Sequence, residues 1–157
     1  MCIEQNKICN KMKQNICHEL MQELCKIIDV SYKILDNLEK AGHPFKRLSC
    51  LVLEEREYPV WKGESETHGI VHIDPFKHDA RAVAHEMGHG FEERYRKKPS
   101  EVMGESMAEA IRYFVEDRMG NSQWTPPKDY QVVLKMCEYD FEKFKKLLDS
   151  EDIHKKY

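Results

Sequence analysis

The segment His85-Glu86-Met87-Gly88-His89 is an HExxH pattern, with two imidazoles four positions apart and a carboxylate beside the first. On an α-helix four residues rise about 6 Å and return close to the same face, so both rings can bind one metal ion. Paired imidazoles suit zinc, and Glu86 is placed to take a proton from a water at the metal's open position. A solvated helix face carrying His, Glu and His is the plainer reading of five residues. The helical context, the glycine inside the pattern and an acidic pair downstream count against it.

A catalytic zinc takes a third protein ligand. No third histidine follows at HExxHxxGxxH spacing, and the downstream histidine is His154 in the tail. The third ligand is therefore expected to be acidic, from Glu101, Glu105, Glu109, Glu116 or Asp117. If the next helix returns antiparallel about a turn near Lys97, Glu105 comes level with His89 and Glu109 level with His85. Glu105 and Glu109 share a face at i and i+4. One can bind zinc while the other accepts a ring N–H from a ligand histidine and fixes its tautomer. Level does not assign the two roles.

These residues need a framework. Asp74-Pro75, or Asp79, starts a helix that runs to about Arg96. Lys97 to Ser100 break the chain, and a second helix is expected from about Glu101 to Met119, closed by Gly120. Upstream, Leu48–Glu55, Tyr58–Lys62 and Thr67–Ile73 read as strands, the last alternating Gly69, Val71 and Ile73 with His68, Ile70 and His72. So few strands need helices over one face. The first forty residues read as helix. Ile16–Ile28 carries one apolar face, and Ile34, Leu35 and Leu38 continue it after a break near Val30 and Ser31. Gly42 and Pro44 end it. Cys17 and Cys25 fall at helical spacing with Met21 and Ile28, which predicts thiols packed as small hydrophobes. Beyond Pro126 and Pro127, Tyr130, Val133, Leu134, Cys137, Phe141, Phe144 and Leu148 form the apolar stripe of a tail helix.

Composition narrows the function. The 157 residues, 41% hydrophobic and 34% charged, suit one globular domain. It is expected to comprise an N-terminal helical segment (1–45), a sheet and metal-binding core (46–120) and a C-terminal helical segment (121–157). A net charge of −3 supplies no field for nucleic acid or anionic lipid. No apolar run approaches the roughly 20 residues of a spanning helix, and the N-terminus lacks the apolar stretch of a signal peptide. Six cysteines without a CxxC pair read as free thiols. A cytoplasmic protein without membrane or nucleic-acid partners is expected, as monomer or dimer.

HEMGH followed by Glu105-Ser-Met-Ala-Glu109-Ala-Ile-Arg-Tyr-Phe resembles the gluzincins, zinc peptidases whose third ligand is a glutamate on the helix after the active-site helix. The second segment is similar to the ExxxD element of thermolysin-like peptidases and, more closely, to the ExxAEAFR segment of the anthrax lethal factor type. The resemblance implies that His85, His89 and Glu105 bind zinc, that Glu86 is the general base, and that Glu109 orients a ligand histidine, His85. In spacing, Glu109 follows His89 at the thermolysin interval and Glu105 arrives sooner. Short length also resembles the minigluzincins, minimal zinc-peptidase domains with latent forms. The implied fold is α+β and zincin-like, a small sheet of two to four strands on an active-site helix and a glutamate helix, with helices at both termini. Thr67–Ile73 would correspond to the edge strand on which extended substrate adds.

The expected function is a zinc-dependent endopeptidase acting on a protein or peptide and latent through a terminal segment. The alternative is a zinc-binding regulatory or interaction module without turnover. A repressor-cleaving peptidase is a third reading, without a DNA-binding module to support it. Candidate oxyanion donors are Tyr95, Tyr113, His68 and His72. His78 reads as solvated, and Arg81 and Arg112 as structural partners of the acidic cluster.

Overall fold

The computed structural model describes residues 2–5, 14–40, 42–95 and 104–120. In chain order these form β1 (Cys2–Gln5), α1 (Gln14–Lys40), β2 (Arg47–Leu53), β3 (Val60–Gly63), β4 (His68–Ile73), α2 (Ala82–Tyr95) and α3 (Gly104–Arg118). The class is α+β. The sheet order is β1-β2-β4-β3, with β1, β2 and β4 parallel and β3 antiparallel at one edge.

Period-two alternation sorts the sheet into faces. Leu51 is registered with Val71, Leu53 with Ile73 and Trp61 with Val71, and all five side chains are buried. The Trp61 ring borders Gly90 of α2, so this is the face that the helix covers. Leu24, Ile27, Ile34, Leu35 and Leu38 of α1 fill the same core with Val83, Met87 and Phe91 of α2 and Ile111, Phe114 and Val115 of α3. Each large apolar side chain buried in this way contributes about 1.5–3 kcal/mol. Packing of this layer, rather than helix propensity, therefore holds α2 and α3 in place.

Helix α1 is continuous through Val30 and Ser31, where the sequence suggests a break. Both residues are fully buried, and the Ser31 hydroxyl donates to the Ile27 carbonyl (2.7 Å), so its polar group is satisfied inside the helix. A two-bond cap closes the helix. Gly42 N–H donates to Glu39 O, His43 N–H donates to Leu38 O, and Gly42 sits at φ 95°, a left-handed conformation suited to glycine. Tyr32 docks α1 on the sheet. Its hydroxyl donates to the Leu48 carbonyl (3.1 Å) and accepts from the Leu48 N–H (2.8 Å), satisfying backbone where β2 shifts register against β4 between Leu48 and Cys50. Burial raises the Tyr32 phenol above its ordinary pKa.

Three other expectations change. Cys2–Gln5 is a parallel strand, not helix, because β2 offers it an edge to pair with. Cys25 is exposed: the buried stripe runs through Leu24, Ile27 and Ile28, and Cys25 stands about 100° round from Leu24. Among the described side chains Cys50 is the buried thiol, and the Cys17 side chain lies outside them. Finally, β4 is not an edge strand. It pairs with β2 on one side and β3 on the other, which leaves the antiparallel β3 at the edge.

Asp79, not Asp74, begins α2. Its carboxylate accepts the Arg81 N–H (2.9 Å) and its carbonyl accepts the Ala82 N–H (2.9 Å). Asp74 instead closes the preceding turn, accepting the Phe76 N–H at its side chain. At the other end of the helix pair, Gly120 at φ 83° follows α3 as the sequence predicts. The break at residues 97–100, Glu101 and the tail stripe lie outside the described residues. No helix among the described residues is long and apolar enough to cross a membrane.

Candidate metal centre

His85, Glu86 and His89 all lie in α2, and one side-chain donor atom from each comes within 4.8 Å of the others. The two imidazoles meet edge to face, with ring centroids 5.0 Å apart and planes at 84°. Glu86 is buried at 6% exposure, while the His85 and His89 side chains keep 15% and 17%.

Helix α3 completes the surroundings of His85. Glu109 Oε2 stands 2.6 Å from His85 Nδ1. The bond from His85 holds the Glu109 carboxyl below its ordinary pKa, against the opposing effect of burial and with help from the Arg112 charge. Glu109 is therefore the acceptor and His85 Nδ1–H the donor. With that proton on Nδ1, neutral histidine carries its lone pair on Nε2.

The helix crossing that permits this contact is set by Gly88 and Ala108. A Cβ on Gly88 would stand 2.7 Å from the Ala108 Cα, so the glycine inside the motif is what lets α3 come close. His85 opposite Glu109 and Gly88 opposite Ala108 define an antiparallel pair, with the level relation that a turn near Lys97 implies. Glu105 lies in the first turn of α3, and its side chain is outside the described ones. One turn before Glu109 on the same helix, its backbone is displaced toward the His89 end of α2.

Charged groups tie the outer ends of the two helices together. Arg112 reaches Glu116 (3.4 Å) and Asp79 (3.9 Å), and Arg81 reaches both acids (3.1 Å to Asp79, 3.7 Å to Glu116). Burial alone would raise the Asp79 carboxyl, but hydrogen bonds from the Arg81 backbone and guanidinium, with the Arg112 charge, bring it below its ordinary pKa. These arginines pair with acids as the sequence suggests.

Several sequence candidates lie elsewhere. His68 and His72 occupy the alternate positions of β4, on the face opposite Val71 and Ile73, so the sheet separates them from α2. His72 Nδ1 instead approaches Glu54 Oε1 (2.8 Å), and His68 Nδ1 approaches Thr67 Oγ1 (2.8 Å). His78 is partly exposed and lies outside the His85–Glu86–His89 group. Its Nδ1 accepts the Asp74 N–H and its Nε2 meets the Glu57 carbonyl, making it a strut between two loops. Tyr113 is half-buried on α3, and the Tyr95 side chain is outside the described ones.

Two residues beside the motif escape sequence reasoning. Glu92 is 5% exposed, and its Oε2 is 3.9 Å from His89 Nδ1. An acid three positions after the second histidine, next to a core phenylalanine, is the signal that could have found it. Trp61 spans from the edge strand to α2, its ring occupying the space that Cβ atoms on Gly69 and Gly90 would need. Gly90 follows His89 directly, so Trp61 braces the helix at the motif.

His85, Glu86 and His89 lie close enough together to hold a metal ion, and a carboxylate bonded to a ring N–H is the usual support of a histidine that ligates one. No protein-family model, no curated protein and no solved structure matches this chain.

Proposed function

We propose that this chain is a zinc-dependent endopeptidase of the gluzincin type, with a zincin-like fold. The observation that carries the reading is the His85–Glu109 bond at 2.6 Å beside a motif whose donor atoms already lie within 4.8 Å. A solvated helix face would not require an ionised acid from a second helix at its first histidine. In this reading His85, His89 and Glu105 hold the metal. Glu109 is spoken for at His85 Nδ1, which favours Glu105 as the third ligand.

Bound zinc supplies a Lewis acid that polarises a peptide carbonyl and lowers the pKa of water. The chain supplies the rest. Glu86 accepts a proton from the attacking water as its oxygen bonds to the carbonyl carbon. It then delivers that proton to the departing amine nitrogen as the C–N bond breaks. Burial of Glu86 limits competing hydration of its carboxylate. Glu109 keeps His85 in one tautomer throughout. Among the described residues β3 pairs with a strand on one side only, so its other side would offer backbone groups to an extended peptide, and Trp61 ties that strand to the motif. The substrate is a protein or peptide, and a cytosolic setting agrees with the free thiols Cys25 and Cys50.

Zinc content and peptide-library cleavage test the reading. The purified chain should bind about one zinc, and the zinc-loaded protein should cleave, whereas Glu86→Gln keeps the metal and loses cleavage. A folded chain without zinc affinity would overturn the site. Zinc binding with no cleavage, with residues after Gly120 present or removed, would instead identify a zinc-binding interaction module.

A further inference from the structure

Glu92 stands in a place that helix energetics disfavour. It is buried, and it lies in the last turn of α2, where the helix dipole opposes a negative charge. A carboxylate kept there needs a positive or proton-donating group facing it. His89 faces it from three positions earlier on the same helix, with Nδ1 at 3.9 Å from Glu92 Oε2.

The two histidines differ in where such support can come from. His85 receives Glu109 from α3. One turn further on, His89 lies level with Glu105, the residue assigned to the metal above, so α3 cannot give both a ligand and an orienting carboxylate there. Helix α2 carries its own. We propose that Glu92 is a positioning residue for His89, keeping the proton on Nδ1 so that Nε2 is the nitrogen presented to the metal. This rests on the zinc reading. At 3.9 Å the separation exceeds a direct hydrogen bond, so in the metal-free chain Glu92 acts on the ring through its charge or through one bridging water. His85 and His89 then present equivalent nitrogens, each with a carboxylate behind it, one from each helix.

The test uses the full chain with Glu92→Met, which removes the acceptor at similar volume, and Glu92→Gln, which keeps an acceptor oxygen without the charge. Long-range proton–nitrogen spectra of the metal-free protein report the His89 tautomer, and competition with a chromophoric chelator reports zinc affinity. The Nδ1–H form of His89 is expected in the native chain and a mixture in Glu92→Met, with zinc affinity lowered roughly 10- to 100-fold and partly restored in Glu92→Gln. An Nε2–H tautomer in the native chain overturns the proposal, as does a Glu92→Met protein with unchanged tautomer and affinity. If Glu92→Met does not fold, the native tautomer and Glu92→Gln decide. Failure of the native chain to bind zinc would overturn the peptidase reading, while the metal-free tautomer still judges Glu92.

Discussion

Gly88 and Ala108 meet backbone to backbone: a Cβ on Gly88 would lie 2.7 Å from the Ala108 Cα and 2.9 Å from its carbonyl oxygen. The next residue of α3 is Glu109, so the contact that sets the crossing also sets the reach to His85. Gly88→Ala gains up to about 1 kcal/mol of helix propensity, and overpacking costs about 1–3 kcal/mol. Modest net destabilisation is expected, together with a larger loss of zinc affinity as α3 is pushed back. Thermal melts and zinc titration measure the two. Native zinc affinity with a higher melting temperature would show that the crossing does not depend on this glycine.

The Glu109 carboxyl is held below its ordinary pKa in the folded chain, chiefly by the bond from His85. The unfolded chain therefore binds a proton first as pH falls. The stability contributed by Glu109 is fully present above its unfolded pKa and is lost as pH drops through the lower folded value. Asp79 is shifted the same way and adds to the effect. In metal-free protein, Glu109→Gln should flatten the fall of the urea midpoint between neutral pH and about pH 3. An equally steep fall in the variant would assign the acid sensitivity to other groups.

How much of this could be read from the chain depends on the range of the interactions involved. The helical hairpin was accessible because His85 and Glu109 are 24 positions apart, and counting about Lys97 brings them level. Strand segments near Arg47–Leu53, Val60–Gly63 and His68–Ile73 were visible locally, the first as a short apolar run, the second as a segment after a turn and the third in its alternation. The order of those strands was not, because β4 enters between β2 and β3 through pairings that alternation does not encode. Cys2–Gln5 becomes a strand through β2, more than forty residues away. The continuity of α1 goes with the burial of Val30 and Ser31 in the core, where the Ser31 hydroxyl is satisfied at the Ile27 carbonyl, and that burial depends on distant packing. Glu92 resembles any surface acid until its burial is known.

Assigning the third ligand separates two acids on one helix. Glu109 already accepts from His85 at 2.6 Å, so its removal frees a ring without removing a ligand. Glu109→Ala should weaken zinc binding about 10- to 100-fold, the usual effect of losing an orienting carboxylate. Glu105→Ala removes a ligand in this reading and should lower affinity further than Glu109→Ala does. Zinc competition assays on both variants rank them. The reverse order would make Glu109 the ligand and require its carboxylate to leave His85.

Trp61 joins the sheet edge to the motif helix, and its loss should be felt at both ends. The ring is 8% exposed and fills the space above Gly69 and Gly90. Trp61→Ala should therefore cost about 3–5 kcal/mol of stability, the range for emptying a large aromatic site. Trp61→Phe keeps much of the contact and should cost less. Because Gly90 adjoins His89, the cavity also loosens the seat of α2, and zinc affinity should fall with stability. Adding bulk tests the same contact from the opposite side. In Gly69→Ala the new Cβ would lie 2.1 Å from the Trp61 ring, so the indole must move away from β4. Equilibrium urea unfolding and zinc titration of the three variants are the measurements. Trp61→Ala with near-native stability would show that the edge strand and α2 are held together by other contacts, and would remove Trp61 as the brace of the motif.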